Sequence, residues 1–479
     1  MKTQKNSKRL LTISEFRHEV GIPLILAKKL VIWGEVETVK LVDGTIRITG
    51  SEAQKIKKIV KNPRKKFALY IRALGPGLIT GASDDDPSGI GTYSSVGAMF
   101  GLSILWMAAW LLPVMLAVQE VCARIGIVTN KGLTKVLSAR FSKKIVGGIV
   151  LLLIIANVVN IGADLGAMAA SLEMLTGINF LAASFLFALV IVFLEIFFKY
   201  HTYVKFLKWL TLAVIAYVIA GFLVHPNWKE VFDFAFIPKM EFNEKFIFAM
   251  VAVFGTTVTP YLFFWQTSEE VEENKLLGYK NKKESIHCRI SHMRTDVGTG
   301  MILANVVFFF IILTTAQVFF KNGIFTINSA QEAALALRPL AGNNAYLLFA
   351  LGIIGTGMLA IPILAGSGAY ALSEVMKWRE GLELKFSRAK GFYLVIALSI
   401  LVGLALNFFR INPIAALYYS AYLNGIIALP LLIVIMLIGN DKRIMGKETH
   451  PGWVKIFGWL AVIFMFLALV LTGVLSIIK

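Results

Sequence analysis

The segment that decides the fold runs from residue 75 to residue 91 and reads Gly75-Pro76-Gly77-Leu78-Ile79-Thr80-Gly81-Ala82-Ser83-Asp84-Asp85-Asp86-Pro87-Ser88-Gly89-Ile90-Gly91. Three consecutive carboxylates within a membrane-spanning stretch are costly unless they face water, an ion or a polar partner. Pro87 also lacks a backbone donor, so a continuous helix through this point would leave a carbonyl unpaired. The segment therefore predicts a membrane helix that is broken near its middle.

The composition of the whole chain indicates a membrane protein. Of its 479 residues, 57% are hydrophobic and only 16% are charged, whereas about 25% are charged in soluble domains. Many segments provide the roughly 20 mainly apolar residues that a membrane helix needs. The net charge of +19 fits cytoplasmic loops that set the orientation of the chain. We therefore expect no nucleic-acid partner.

From residue 67 onward the hydrophobic pattern predicts eleven spans. Basic residues concentrate in alternate loops, which places the N-terminus in the cytoplasm and the C-terminus outside a cell membrane that the chain crosses many times. The predicted spans cover about 68–98, 102–128, 144–173, 178–199, 203–224, 244–272, 293–319, 345–375, 388–408, 412–437 and 452–478.

Residues 1–66 differ from the rest and are predicted to form a basic cytosolic N-terminal extension, with residues 67–479 as the transmembrane domain. The extension carries 16 Lys and Arg against 6 Asp and Glu. Residues 30–33 and 36–48 look like a β-hairpin that turns at Asp43-Gly44, and Ser51 can cap a short basic helix through Val60. A regulatory or lipid-binding role stays open, because the basic cluster before the first span suits anionic headgroups.

A second interruption lies in the sixth span, at Gly255-Thr256-Thr257-Val258-Thr259-Pro260-Tyr261. The two interrupted spans are five spans apart, and because five is odd their halves have opposite orientations. Inverted repeats with broken helices hold their substrate near the middle of the membrane. Spans 1–5 and 6–10 are thus predicted to be the repeats, with span 11 as an addition.

The two breaks offer oxygen ligands of the kind that a divalent cation prefers. Asp86 is the only formal charge that we assign directly to an ion; Asp84 and Asp85 are expected to be vestibule or helix-end charges rather than direct ligands. We expect backbone carbonyls from Gly89 and Thr256, and a hydroxyl or water contact from Thr259. Asn424 in span 10 can accept a hydrogen bond from a metal-bound water, or can form a hydrogen bond between helices.

The first break, the end of the second span at Gln119–Thr129 and the span count together resemble the natural resistance-associated macrophage protein (Nramp) family of divalent metal transporters. The resemblance covers about residues 68–440. It implies an all-α integral membrane protein of about eleven transmembrane helices, with a LeuT-like inverted repeat of 5+5 helices and broken helices 1 and 6.

Departures from the family pattern are informative. The family's first-helix motif is Asp-Pro-Gly-Asn, whereas Gly89 stands where the Asn would be; its Met-Pro-His on the sixth helix is here Thr259-Pro260-Tyr261. Methionine sulfur favours soft transition metals, whereas Mg²⁺ prefers oxygen and retains several waters. Of the acidic residues expected on the third helix, Asp164 fits one position but Ala167 replaces a glutamate. The pattern resembles the Nramp-related magnesium transporter branch.

The resemblance implies transport of Mg²⁺ and/or Mn²⁺ by alternating access, with little or no proton coupling. The broken helices would move against a scaffold of spans 3, 4, 8 and 9. The main alternative is a proton-coupled Mn²⁺/Fe²⁺ importer of the family's main branch. An organic-solute transporter of the same architecture and a membrane metal sensor are further alternatives.

No phosphate-binding loop or nucleophile arrangement occurs in the sequence, so we do not expect an enzyme. We expect no cofactor, because the metal ion is the transported substrate. The expected partners are that ion and the lipid bilayer, without an obligatory protein partner.

Overall fold

The computed structural model is mostly helical. It describes residues 9–22, 24–32, 36–41, 46–62, 76–198, 211–276, 286–382, 384–409 and 411–477. Within these residues, nine helices or helix pairs are long and apolar enough to cross a membrane by length and composition.

A small α/β unit precedes the membrane helices. Its strands are β1 (Leu10–Leu11), β2 (Thr38–Lys40) and β3 (Ile46–Thr49), in the antiparallel order β1-β3-β2. Its helices are α1 (Ile13–Val20), α2 (Leu24–Ile32) and α3 (Gly50–Lys61). Buried side chains that include Phe16, Leu30 and Ile48 form a core separate from that of the membrane helices. We call this unit, residues 9–62, the N-terminal domain.

The hairpin prediction was confirmed only in part. Val39 pairs with Arg47, a register centred on residue 43, but the turn at Asp43-Gly44 lies outside the described residues. The expectation of a strand at residues 30–33 was wrong, because residues 30–32 belong to α2. The predicted basic helix exists, but Thr49 rather than Ser51 caps it, by accepting a hydrogen bond from Glu52 N.

The predicted spans are all represented among the described residues. We name them by number, and divide the two broken ones: 1a (Pro76–Asp84), 1b (Pro87–Phe100), 2 (Trp106–Thr129), 3 (Lys143–Thr176), 4 (Phe180–Phe197), 5 (Ile215–Leu223), 6a (Glu244–Thr257), 6b (Pro260–Leu276), 7 (Ile286–Val318), 8 (Ala345–Met376), 9 (Lys390–Leu406), 10 (Pro413–Gly439) and 11 (Gly452–Ile477). The predicted beginnings of spans 1 and 5, residues 68–75 and 203–210, lie outside the described residues. So does the boundary at residues 66 and 67, and the division into two domains stays a prediction.

Shorter helical elements connect the spans, and the hydrophobic pattern did not predict them. Helices at Leu133–Ser138, Trp228–Phe236, Ala330–Ala334, Arg338–Ala341 and Lys442–Met445, with several single 3₁₀ turns, lie in the loops.

The described membrane helices pack closely on one another. Span 3 lies along spans 8 and 9, and span 4 packs against spans 3 and 9, so the expected scaffold helices are neighbours. Spans 1a and 1b pack on span 7, and span 6a packs on span 10. Large apolar side chains such as Phe193, Leu401 and Phe466 remain exposed on the outside, as expected for a surface that faces lipid.

Gly255 allows a close approach between spans 6a and 10. A Cβ atom added there would lie 2.2 Å from the backbone oxygen of Ala421 and 2.3 Å from the backbone nitrogen of Gly425. Since both neighbours are backbone atoms, the helices would have to separate. The absence of a side chain at residue 255 thus fixes the second break against span 10.

We expect Gly255→Ala to lower the free energy of unfolding by about 1–3 kcal/mol, the usual cost of overpacking. Thermal unfolding of the detergent-solubilised protein measures this loss. Gly298→Ala is the matched control, because nothing lies within 4 Å of the Cβ position in span 7. Equal melting temperatures for both variants would contradict the close approach.

Candidate functional site

The break in span 1 forms because two helices meet at Asp86. Span 1a ends at Asp84, and span 1b begins with Pro87 at its first position, where the missing proline N–H costs nothing. Asp86 is the N-cap of span 1b, and its Oδ1 accepts a hydrogen bond of 2.7 Å from Gly89 N. The predicted interruption is therefore present, with the Asp86 carboxylate at the point of the break.

The break in span 6 is built in the same way. Span 6a ends at Thr257, and span 6b begins at Pro260. In a continuous helix the carbonyl of Thr256 would bond to the N–H of residue 260, and proline has none. The hydroxyls of Thr256 and Thr259 are buried and lack a hydrogen-bond partner among the described residues. This break thus presents uncommitted oxygen atoms, as the sequence predicts.

Side-chain contacts join the two breaks. Tyr261, the second residue of span 6b, donates a 2.9 Å hydrogen bond to the carbonyl of Ser83, whose helical partner would have been Pro87. Tyr93 of span 1b lies 3.2 Å from the Thr257 hydroxyl. These hydrogen-bonding contacts therefore hold the two breaks next to each other.

A chain of polar side chains connects Asp86 to spans 3 and 10. Asn160 Nδ2 donates to Asp86 Oδ2 at 3.2 Å and to Asp164 Oδ2 at 3.1 Å. Asn424 Nδ2 donates to Asn160 Oδ1 at 3.0 Å. The interhelical hydrogen bond considered for Asn424 is thus formed, and this amide lies one side chain away from Asp86.

The five candidate residues do not have equal roles. Asp86, Thr256, Thr259 and Asn424 lie at the two breaks or next to them, and each is at most 2% exposed, so the site is closed to solvent. Gly89 was expected to offer a carbonyl, but it lies inside span 1b. There the helical geometry directs its carbonyl towards Tyr93 N. The N–H of Gly89 donates to Asp86 Oδ1, and a contribution of its carbonyl to the site stays a prediction.

Three further polar residues near Asp86 are buried. Asn160 carries no motif, and its importance follows only from the helices that meet around it. Asp84 and Asp85 were interpreted as vestibule or helix-end charges. Asp84 does end span 1a, but the two are only 1% and 7% exposed. Both oxygens of Asp84 and one of Asp85 lack a hydrogen-bond partner within the described part of the chain.

The site does not contain an acidic cluster of the usual metal-binding kind. No group of three or more His, Cys, Asp or Glu side chains could hold a metal ion among the described residues. The donors at the two breaks are the Asp86 carboxylate together with hydroxyl, amide and backbone oxygens, with the buried carboxyl groups of Asp84 and Asp85 beside them. Such a set suits a hard cation that keeps part of its water shell.

Comparison with known proteins identifies the family. Residues 77–475 match the family described as natural resistance-associated macrophage protein-like. The chain belongs to this Nramp family. Two similar relatives are named divalent metal cation transporter MntH. The one from Caldanaerobacter subterraneus subsp. tengcongensis is 27% identical over 86% of this chain and 93% of its own, and the one from Bacillus subtilis is 25% identical over 82% and 90%. These Nramp relatives are transporters, which agrees with the prediction that the chain is not an enzyme.

Solved structures agree on the fold. A manganese transporter of Eremococcus coleocola, in complex with an aromatic bis-isothiourea substituted compound, matches with a TM-score of 0.66 at 18% identity, over 82% of this chain and 84% of that one. MhsT in complex with L-phenylalanine matches with a TM-score of 0.50 at 13% identity, over 83% and 98%. The predicted LeuT-like all-α fold is confirmed for this Nramp chain.

Proposed function

We propose that this Nramp protein moves a divalent metal cation, Mg²⁺ and/or Mn²⁺, across the membrane by alternating access, with little or no proton coupling. The observation that carries the proposal is the break in span 6. The hydroxyls of Thr256 and Thr259 lie at this break without a hydrogen-bond partner among the described residues, and residues 255–261 contain no sulfur or imidazole. The names of the MntH relatives support the class of substrate.

The ligand types favour a hard ion over a soft one. Oxygen donors suit Mg²⁺ and Mn²⁺, whereas thioether ligands select softer metals. The ion would contact Asp86 and the carbonyl of Thr256, and would reach Thr259 and Asn424 directly or through water. Asp84 and Asp85 are buried beside Asp86, and a hydrated ion would contact their oxygens through its waters.

Gly89 leaves the Asp86 carboxylate accessible. A Cβ atom at residue 89 would lie 3.6 Å from Asp86 Oδ1 and 3.2 Å from the backbone oxygen of Asp84. A larger side chain would therefore occupy space beside the carboxylate. That space suits the retained water shell of Mg²⁺.

The surroundings of Asp86 also support weak proton coupling. Asp164 accepts a hydrogen bond from Asn160, and Ala167, one turn further along span 3, has no group that titrates. Tyr261 stands where the family pattern has a histidine, and it donates to Ser83. Two titratable groups of the family pattern, a glutamate on the third helix and a histidine on the sixth, are therefore absent from this chain.

Without proton coupling, the ion gradient and the membrane potential drive transport. An inside-negative potential contributes about 2.3 kcal/mol per charge per 100 mV, or about 4.6 kcal/mol for a divalent ion. Purified protein in liposomes should therefore accumulate Mg²⁺ and Mn²⁺ when a potassium diffusion potential is imposed, and much less without it. Binding without any flux would instead favour a membrane metal sensor.

A further inference from the structure

Asn160 is placed to orient two candidate ligands at once. It is fully buried in span 3, and both ends of its amide are engaged. Its Nδ2 donates to Asp86 on span 1 and to Asp164 one turn along its own helix, while its Oδ1 accepts from Asn424 on span 10. One amide thereby connects three spans.

The hydrogen bonds of Asn160 fix the orientation of Asp86. Oδ1 of the carboxylate is held by Gly89 N at 2.7 Å, and Oδ2 by Asn160 at 3.2 Å. A carboxylate oxygen has capacity for more than one contact, so the ion can bind while both hydrogen bonds remain. Because Asn160 donates and carries no charge, it orients Asp86 without adding to the charge of the site.

The same residue fixes Asn424. Since Nδ2 of Asn424 is committed to Asn160 Oδ1, its amide oxygen is the end left for an ion or a metal-bound water. We infer that Asn160 is a positioning residue, which holds Asp86 and Asn424 in their metal-binding orientations and thereby sets the affinity for the ion. This inference rests on the proposed metal site.

Asn157 provides a matched comparison on the same helix. It lies almost one turn before Asn160, is also buried, and donates at 2.8 Å both to the Leu364 carbonyl and to the Ser367 hydroxyl of span 8. Its contacts join two scaffold helices and do not reach Asp86. Asn157→Ala thus removes a buried interhelical amide without changing the site.

The test measures Mg²⁺ uptake by the full-length protein in liposomes, with KM and maximal rate separated. We expect Asn160→Ala and Asn160→Asp to raise the KM for Mg²⁺ about tenfold or more, the usual effect of losing an outer-shell partner of a metal ligand. Asn160→Asp keeps the side-chain shape but removes the donor. Asn157→Ala should leave KM unchanged, even if the melting temperature falls.

An unchanged KM in folded Asn160→Ala or Asn160→Asp would overturn the inference, as would an equal change in KM for Asn157→Ala. Asp86→Ala in the same assay separates this failure from a failure of the proposed function. If Asp86→Ala stops uptake while the Asn160 variants behave as wild type, only the positioning role is lost. If Asp86→Ala transports normally, the proposed metal site itself is wrong.

A separate contact joins the N-terminal domain to the membrane helices. Lys29 of α2 lies 2.8 Å from Glu273 of span 6b, and the Lys29 side chain is only 9% exposed. The two side chains line a small cavity together with Glu270, Arg289 and Asp296. Burial by itself lowers the pKa of Lys29, but the nearby carboxylates outweigh it and raise the pKa, so Lys29 is charged.

This cavity lies where the broken helices meet span 7. Asp296 of span 7 accepts hydrogen bonds from Gly77 N and Leu78 N at the start of span 1a, at 3.0 and 3.2 Å. Thr80 of span 1a donates to Gln266 of span 6b at 2.5 Å. At this end of the bundle, spans 1a, 6b and 7 are therefore held together next to the ammonium group.

The Lys29 ammonium compensates carboxylates on two of these helices. Without it, Glu270 and Glu273 of span 6b would face Asp296 of span 7 with less positive charge nearby, and like charges at short distance repel. We propose that the ion pair between Lys29 and Glu273 is autoinhibitory. Through this contact the N-terminal domain keeps this end of the transport path closed. The proposal uses the proposed alternating access of the broken helices.

The test compares initial Mg²⁺ uptake rates in liposomes for full-length variants. Lys29→Ala should raise the rate about threefold to tenfold, in keeping with the loss of one partly exposed ion pair. The charge exchange Lys29→Glu with Glu273→Lys should restore the slow rate. Lys58→Ala is the control, because Lys58 is an exposed lysine of the same domain.

An unchanged or lower uptake rate in a folded Lys29→Ala protein would overturn the autoinhibitory role of the ion pair. A high uptake rate in the charge-exchange variant would overturn it as well. The Asp86→Ala substitution, added to Lys29→Ala, should abolish the fast uptake. If uptake persists in that double variant, the proposed metal site is wrong, and the result does not count against the autoinhibitory ion pair.

Discussion

Asp86→Ala is expected to lower Mg²⁺ and Mn²⁺ uptake in liposomes at least about 100-fold, beyond the usual effect of changing an outer-shell residue. Asp86 is the carboxylate at the break in span 1, and it is buried between a helix N-terminus and Asn160. Its removal leaves the ion with neutral ligands only. Such ligands cannot offset the cost of removing a divalent cation from water.

Asp86→Asn separates charge from shape. The amide keeps one oxygen that can accept from Gly89 N, but the formal charge is gone, so uptake should fall nearly as far as in Asp86→Ala. Asp233→Ala, at an exposed position of the Trp228–Phe236 helix, should transport normally. Wild-type uptake by either Asp86 variant would remove the basis of the proposed site.

Thr259→Met is expected to shift selectivity towards soft metals. The substitution places a thioether in the break where Thr259 now offers a buried hydroxyl, and soft ligands favour soft ions. The larger side chain also occupies room for metal-bound water. Uptake of Cd²⁺ relative to Mg²⁺ should rise about tenfold or more, as expected when ligand softness changes.

Competition between ⁵⁴Mn²⁺ and unlabelled Mg²⁺ or Cd²⁺ in the same liposomes measures the shift. Thr295→Met is the control, since Thr295 lies exposed near the start of span 7. An unchanged order of competition in Thr259→Met, with folding preserved, would show that residue 259 does not contact the ion or its water shell.

The membrane fold could be predicted because membrane-spanning helices are visible in the sequence as long apolar segments. Long apolar runs fix the spans, and the prolines at residues 87 and 260 fix the breaks, since a missing N–H acts locally. The N-terminal domain was harder to predict. Residues 30–32 are apolar in a way that fits a helix or a strand, and only tertiary packing, such as that of Leu30 and Val31 in the small core, decides for α2.

The site could be predicted only as far as local chemistry determines it. Asp86 could be identified because a carboxylate beside a proline in a membrane span is costly unless it meets an ion, water or a polar partner. The predicted Gly89 carbonyl stays a prediction, because Gly89 lies in the first turn of span 1b and the observed contact of its backbone is the N–H bond to Asp86. Asn160 was missed because its contacts to spans 1 and 10 depend on tertiary packing rather than on any neighbour in sequence.

Mg²⁺ uptake measured together with the internal pH of the liposomes tests the central claim most directly. The proposed hard-ion site without a proton relay predicts that Mg²⁺ enters in response to its gradient and the imposed potential while the internal pH stays constant. It also predicts that an imposed pH gradient leaves the rate unchanged. Acidification of the interior in fixed proportion to the Mg²⁺ that enters would contradict the account and favour a proton-coupled importer.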